Sequence, residues 1–195
     1  MKKYVGTIIG GVVITAIVVW IVFYTVNNKR NNSVFSTAKT TNTEAEAIID
    51  KDLTRFYPSS VKEVVKLYQR INVCLMSKTY TEDEFYKIVD QLRMLFDDEL
   101  LAINPLDTYT TNLYDEILAF KSEKKTMSLT NIQLDSQVRY YTKNGSDYAT
   151  IVGLFVVKNK KNIEKTYEKF VLREDSDGNW KILGWEKCDP VEFAD

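Results

Sequence analysis

Apolar positions along the chain follow three successive regimes. From Tyr4 to Val26 they run on for 23 residues without a charge. As a helix at about 1.5 Å per residue, that run is roughly 35 Å long and covers the ~30 Å hydrocarbon core of a bilayer. The apolar part of a cleaved signal peptide is normally about 7 to 15 residues and leads to a small-x-small site. Here the run is longer and leads into Val26-Asn27-Asn28, so the pattern predicts an uncleaved single-pass helix over residues 4–26. From Val61 to Phe120 the apolar positions return every three or four residues. Val61, Val64, Val65, Tyr68, Ile71 and Leu75 mark one buried helix face, and Phe85, Ile88, Val89, Leu92, Leu95 and Phe96 a second. A further helix from about Asp107 to Lys124 buries Leu113, Ile117 and Phe120. Thr43 with Glu46, Ser60 with Glu63, and Thr81 with Glu84 carry the hydroxyl-to-carboxylate spacing of a capping box. Pro58 and Pro105 mark breaks.

After Met127 the period becomes two. Ile132, Leu134, Ser136, Val138 and Tyr140 alternate with Gln133, Asp135, Gln137 and Arg139, which predicts a strand with one dry face. Asn144-Gly145 is a strong hairpin signal and leads into Tyr148 to Val157, apolar on both faces and therefore central. The stretch from Glu164 to Lys187 reads as two more strands, joined by the polar turn Asp175-Ser176-Asp177-Gly178-Asn179. Trp180 and Trp185 are its expected core anchors. The fold class expected is α+β: an N-terminal transmembrane helix, then helices packed on one face of a four-stranded antiparallel meander ordered along the chain. The organisation is a short cytoplasmic tail (1–3), the transmembrane helix (4–26), a flexible tether rich in Asn, Ser and Thr (27–43) and an extracytoplasmic domain (44–195).

Composition narrows the chemistry. The 195 residues contain no histidine, which excludes His-dependent triads, His-ligated zinc and an imidazole base. Residues 1–43 hold five Lys or Arg and no acid. That leaves 21 basic against 27 acidic residues in the domain, a balance of −6 and a poor match to nucleic acid. Cys74 and Cys188 lie 114 residues apart without a motif. Asp175-x-Asp177-Gly178 resembles part of a calcium loop, but Arg173 and Gly184 stand where its first ligand and its bidentate glutamate belong. Asp97-Asp98-Glu99 reads as a solvated helix end, and Asp135 as solvent-facing. No cofactor, metal site or catalytic residue is expected from pattern, and the ligand-binding residues are unknown. The acids to inspect inside the domain are Glu116, Asp115 and Asp90. Gly6 and Gly10 form a GxxxG that would let two apolar helices pair. With the doubly apolar strand, this makes a homodimer an expected possibility.

Helices followed by a long antiparallel region ending in Phe170-Val171-Leu172-Arg173-Glu174-Asp175 and Gly178-Asn179-Trp180-Lys181-Ile182 resemble the nuclear-transport-factor-like superfamily, a cone of curved sheet closed by helices. The lysine-started apolar segment, the Ser60–Leu75 helix and the Lys181-Ile182-Leu183-Gly184-Trp185 ending are similar to an uncharacterised family of single-span proteins from clostridial Gram-positive bacteria, over roughly residues 44–187. The resemblance implies the fold and a cell-surface setting. Superfamily members include isomerases, small-molecule binders and membrane-anchored assembly factors, and fold alone does not choose among them. The function expected is a non-catalytic module anchored in the lipid bilayer through residues 4–26, binding an unknown protein partner outside the cytoplasmic membrane. The alternatives are a small isomerase- or hydrolase-like enzyme with a buried carboxylate in the cone, and a subunit of a conjugation or secretion apparatus. A buried acid among aromatic walls is the observation that separates enzyme from assembly module.

Overall fold

The computed structural model describes residues 34–36, 43–160 and 162–194. The helices are α1 (Thr43–Ile49), α2 (Val61–Ser77), α3 (Glu82–Arg93), α4 (Asp98–Ile103), α5 (Leu106–Ser122) and α6 (Pro190–Ala194). The strands are β1 (Lys125–Ile132), β2 (Arg139–Lys143), β3 (Ser146–Asn159), β4 (Asn162–Glu174) and β5 (Trp180–Lys187). The periodic helices form as their spacing dictates: all six apolar positions marked on α2 are buried, as are all six marked from Phe85 to Phe96. Thr81 and Glu84 close a full capping box on α3, while Ser60 accepts from the Glu63 amide and Glu63 turns to Ser59 instead. α2 packs on β1, β3 and β5, α5 on α2 and β1, and α3 on α1 and α2. Within the stretch read as a tether, the Ser36 amide donates to the Tyr80 carbonyl, and the Phe35 ring lies 5.5 Å from Phe85 and 5.1 Å from Tyr114.

The sheet corrects the expected architecture. It has five strands in the order β1-β3-β4-β5, with β2 also pairing β3, so β3 receives β1 and β2 end to end along one edge. The strand expected over Ile132–Tyr140 does not form. Gln133 bonds Val152 through both its amide and its side-chain Oε1. Leu134 to Gln137 then closes a 3-10 turn, held by the Gln137 side chain accepting from the Leu134 amide. Alternation in that stretch therefore has no partner strand, and Leu134 is 62% exposed. β1 instead occupies the preceding Lys125–Ile132, whose lysine, threonines and asparagine hide its register. Asn144 (φ 53°) and Gly145 (φ 80°) make the expected tight turn into β3. Gly178 (φ 78°) makes the turn into β5, with Asp175 Oδ1 accepting from the amides of Asp177 and Asn179.

The transmembrane expectation is corrected as well. Residues 4–26, and with them Gly6 and Gly10, lie outside the described residues. Among the described residues no helix is long and apolar enough to cross a membrane. The two longest, α2 and α5, have 17 residues each, about 25 Å, and carry charged faces. The structure therefore contributes no single-pass helix, and the membrane and extracytoplasmic placement drawn from one has no support in it.

β3 is covered on both sides. Ala149, Ile151 and Phe155 join the core under the helices. Val152, Leu154 and Val156 face the other way and are also buried. On that outer face Gln133 Nε2 donates to the Glu192 carbonyl, Lys169 pairs with Glu192 at 2.9 Å, and Tyr167 meets Phe193 at 5.5 Å, so α6 lies against the sheet. The exposed apolar patch that motivated a homodimer through this face is thus absent among the described residues. Gly153 is the point of closest approach on the inner face. A Cβ there would lie 2.7 Å from Gln69 Nε2, which donates to the Asn131 and Leu154 carbonyls. At the far edge, Ile182 exchanges backbone bonds with Leu95 and Asp97, so the stretch before α4 runs parallel to β5.

Candidate functional site

On β4, Glu168, Phe170 and Leu172 alternate onto the inner face. Phe170 and Leu172 are fully buried core residues, and Glu168, one pleat further back, is only 8% exposed. On α5, Tyr109 and Glu116 are seven residues apart, two turns on the same side. Both are half-buried. From α2 comes the buried Tyr68, and from β5 the half-buried Trp185, with ring centroids 5.1 Å apart. Phe96 stands 6.0 Å from Trp185 and 5.7 Å from Tyr109, closing the aromatic wall. Neither Glu116 nor Glu168 makes a hydrogen bond among the described residues, and the Trp185 indole Nε1 is buried with no acceptor.

The electrostatics follow from this geometry. Burial pushes the Glu116 carboxyl up to about 7. Burial first, and the charge of Glu116 second, push Glu168 up to about 7, against a small opposing pull from Lys187, its cross-strand neighbour. Tyr68 and Tyr109 are raised above the ordinary phenol range, chiefly by burial and further by these same carboxylates. Because the charge of Glu116 adds to the rise of Glu168, the two carboxyls titrate as a coupled pair rather than independently. Among the described residues no cluster of three or more acids or cysteines is placed to hold a metal.

Glu116 was among the acids singled out from sequence. Asp90 is exposed and Asp115 half-buried, and nothing brings either to Glu168. Glu168 was missed, although counting back in twos from Leu172 and Phe170 puts it on the inner face. Trp180 and Trp185 are half-buried against the core rather than among its fully buried side chains, which are led by Tyr80, Phe85 and Phe170. Asp97 departs from the solvated-end reading. It is 4% exposed, caps α4 through the Glu99 amide, and takes both arms of the Arg173 guanidinium, whose remaining nitrogen reaches Glu99. Cys74, buried, and Cys188, half-buried, are not joined by a disulfide.

Two grooves lie away from the glutamate pair. One of about 400 Å³ is lined by charged side chains, including Arg93, Asp97, Asp98, Arg173 and Lys181. The other, about 260 Å³, is lined by Tyr140, Tyr141, Tyr148 and Trp180 with Asp147 and Glu174. Tyr141 and Tyr148 stack at 5.3 Å, and Tyr140 meets Trp180 edge-on at 5.5 Å.

A search of curated proteins found no match to the chain. A family described as a domain of unknown function (DUF6715) matches residues 1–185, and the chain, matched over nearly its whole length, belongs to that family.

Proposed function

We propose that this domain binds a small molecule between α2, α5 and the inner face of the sheet, and that Glu116 and Glu168 exchange a proton with it, in the manner of a small isomerase-like enzyme. One observation carries the reading: two carboxyls without hydrogen-bond partners, one 8% exposed, are raised by burial to about 7, and their charges act on the phenols of Tyr68 and Tyr109. Burying an acid without a partner costs stability, and natural domains carry such groups most often where they serve a site. The protonated member donates to a ligand oxygen or carbanion and the ionised member accepts from an adjacent C–H or O–H, which together amount to isomerisation without a metal. The order of helices before an antiparallel sheet supports a nuclear-transport-factor-like likeness as part of this reading; a clostridial source is what the sequence resemblance implies. The test is ¹³C NMR of the glutamate side-chain carboxyls from pH 4 to 9 in the full chain, with E116Q and E168Q for assignment. Two resonances titrating near pH 7 support the site. If both titrate in the ordinary glutamate range, near ~4.3, the reading falls.

A second reading, an assembly or partner-binding module, is favoured by the groove of Tyr140, Tyr141, Tyr148 and Trp180. Tyr140 and Tyr141 are 59% and 44% exposed on β2, all five of whose residues are exposed. Exposed aromatic side chains on an edge strand suit capture of another chain. Crosslinking in intact cells, compared with a Tyr140→Ser/Tyr141→Ser variant, tests it: a protein neighbour captured by the wild type and lost in the variant supports the assembly reading, and an unchanged set of neighbours removes it.

A further inference from the structure

We infer, resting on the partner-binding reading above, that β2 receives an extended segment of another protein as an added antiparallel strand. The segment carries a lysine or arginine opposite Thr142 and acids opposite Arg139 and Lys143. Among the described residues β2 pairs with β3 alone, and all five of its residues are exposed. In an antiparallel pair, alternate residues turn their N–H and C=O away from the partner, so the far side of β2 offers backbone groups to a further strand.

The two faces of β2 say what that strand must bring. Tyr140 stands opposite the core residue Ala149, so Tyr140 and Thr142 share the inner face. There Thr142 stands opposite Asp147 and donates to it at 2.6 Å, while Glu174 stands opposite Trp180 on β5. Tyr148 pairs with Arg173, which brings the next positions along, Asp147 and Glu174, side by side on β3 and β4. The groove of about 260 Å³ is lined by these two acids and no basic side chain, with the Tyr140 and Trp180 rings meeting edge-on at 5.5 Å. Across the strands the acids meet only Thr142, Trp180 and each other, and like charges so placed repel. A cation relieves that repulsion, and the ring faces attract it as well. A residue opposite Thr142 lies about 10 Å from Asp147 at the usual strand spacing. Thr142 is short, so a lysine or arginine stem passes over it, its methylenes against the Tyr140 ring and its charge at the acids.

On the outer face Arg139 and Lys143 flank Tyr141, whose ring stacks on Tyr148 at 5.3 Å. Their cross-strand neighbours, Thr150 and Ser146, are uncharged. These two cations repel a basic strand and favour one with acids opposite them. A second copy of β2, in the register that overlaps all five residues, sets Arg139 against Lys143, which argues for a different chain as the occupant.

The probe is an end-blocked, fluorescein-labelled peptide containing Glu-Lys-Val-Thr-Glu. In antiparallel register its lysine meets Thr142 and its glutamates meet Lys143 and Arg139. The control, Lys-Glu-Val-Thr-Lys, inverts every charge. Both are titrated against the full chain by fluorescence anisotropy, and amide hydrogen exchange is followed along β2. We expect saturable binding of the probe, binding of the control weaker by about tenfold or more, and slowed exchange over residues 139–143. D147N/E174Q, which keeps both side-chain shapes, should weaken the probe about tenfold while exchange in the middle of α2 stays as in the wild type. Equal binding of the two peptides, indifference to D147N/E174Q, unchanged exchange in β2, or no binding of either peptide overturns the inference. So does displacement of the probe by an equal concentration of N-acetyl-lysine amide, which would mark a cation site that needs no strand. The crosslinking described above separates the two claims. A neighbour lost in the Tyr140→Ser/Tyr141→Ser variant without probe binding removes this inference alone, whereas unchanged neighbours remove the reading beneath it.

Discussion

Two acids sit at almost the same depth in this protein and are treated in opposite ways. Asp97, 4% exposed, caps α4, receives a bidentate Arg173, and sits where its own backbone bonds β5. Glu168, 8% exposed on the neighbouring strand β4, receives no hydrogen bond among the described residues, and the charge of a second raised glutamate, Glu116, pushes it further up. Burial alone therefore says little about what an acid is for. Where both carboxylate oxygens are hydrogen-bonded, the group belongs to the architecture; where neither is, the structure carries a cost that a ligand or a proton removes.

Removing the partner from the satisfied acid is expected to have the largest effect. Arg173→Ala strands Asp97 in the interior and should lower unfolding stability by about 3 to 5 kcal/mol, measured by urea denaturation. A loss below about 1 kcal/mol would show that Asp97 is as uncommitted as Glu168 and would dissolve the contrast. The next effect is a pH dependence with a definite sign. Glu168 binds its proton more tightly when folded, about 7 against 4.5, so its protonated form stabilises the fold below the unfolded value, and that contribution is lost as pH rises through about 7. Stability should fall by up to about 3 kcal/mol between pH 4.5 and 8 for this one group. E168Q should flatten most of that slope, becoming more stable than the wild type at pH 8 and similar near pH 4.5. A wild-type curve that rises over this interval would mean that Glu168 is paired after all.

Smaller effects test the frame that holds the unsatisfied site. Gly153→Ala drives a methyl against Gln69, which is 2% exposed and bonds two strand carbonyls one residue after Tyr68. We expect about 1 to 3 kcal/mol of destabilisation, together with a chemical-shift change at the Tyr68 ring. If the loss came without that change, α2 would not be what fixes Tyr68 in the cluster. Thr81→Ala, at a capping box remote from both acids, should cost about 1 kcal/mol in thermal denaturation and leave the pH slope untouched. A changed slope would show that the pH dependence reports global stability rather than the glutamate pair.

Much of the helical layer was legible because a buried helix face writes its period directly into the sequence. Val61 to Leu75 and Phe85 to Phe96 needed no knowledge of what they pack against. Asn144-Gly145 was equally plain, since both residues must adopt positive φ. The errors arose where the deciding partner is distant. β1 is held by β3 across a hairpin-like connection that includes a 3-10 turn and β2, so its polar residues carry little periodic signal, while Ile132–Tyr140 alternates without any strand beside it. Asp97 looked solvated because its partner, Arg173, is 76 residues away. Glu168 was hidden by a run of charged neighbours, Glu164, Lys165 and Lys169, that makes the first half of β4 read as surface. Glu116 was easier, lying between Leu113, Ile117 and Phe120 on one side of α5.

The parallel contact between Phe96 and Ile182 has a consequence for how the chain acquires its structure in time. Met94 and Lys181, which bond beside this contact, are 87 residues apart in sequence. The junction between α3 and α4 therefore has no backbone partner until β5 is in place, although α2 and α3 hold most of the contacts they need locally. Such a distant closure raises contact order and slows the final step. Hydrogen exchange during refolding should accordingly find the Ile182 and Asp97 amides among the last to gain protection, well after those in the middle of α2.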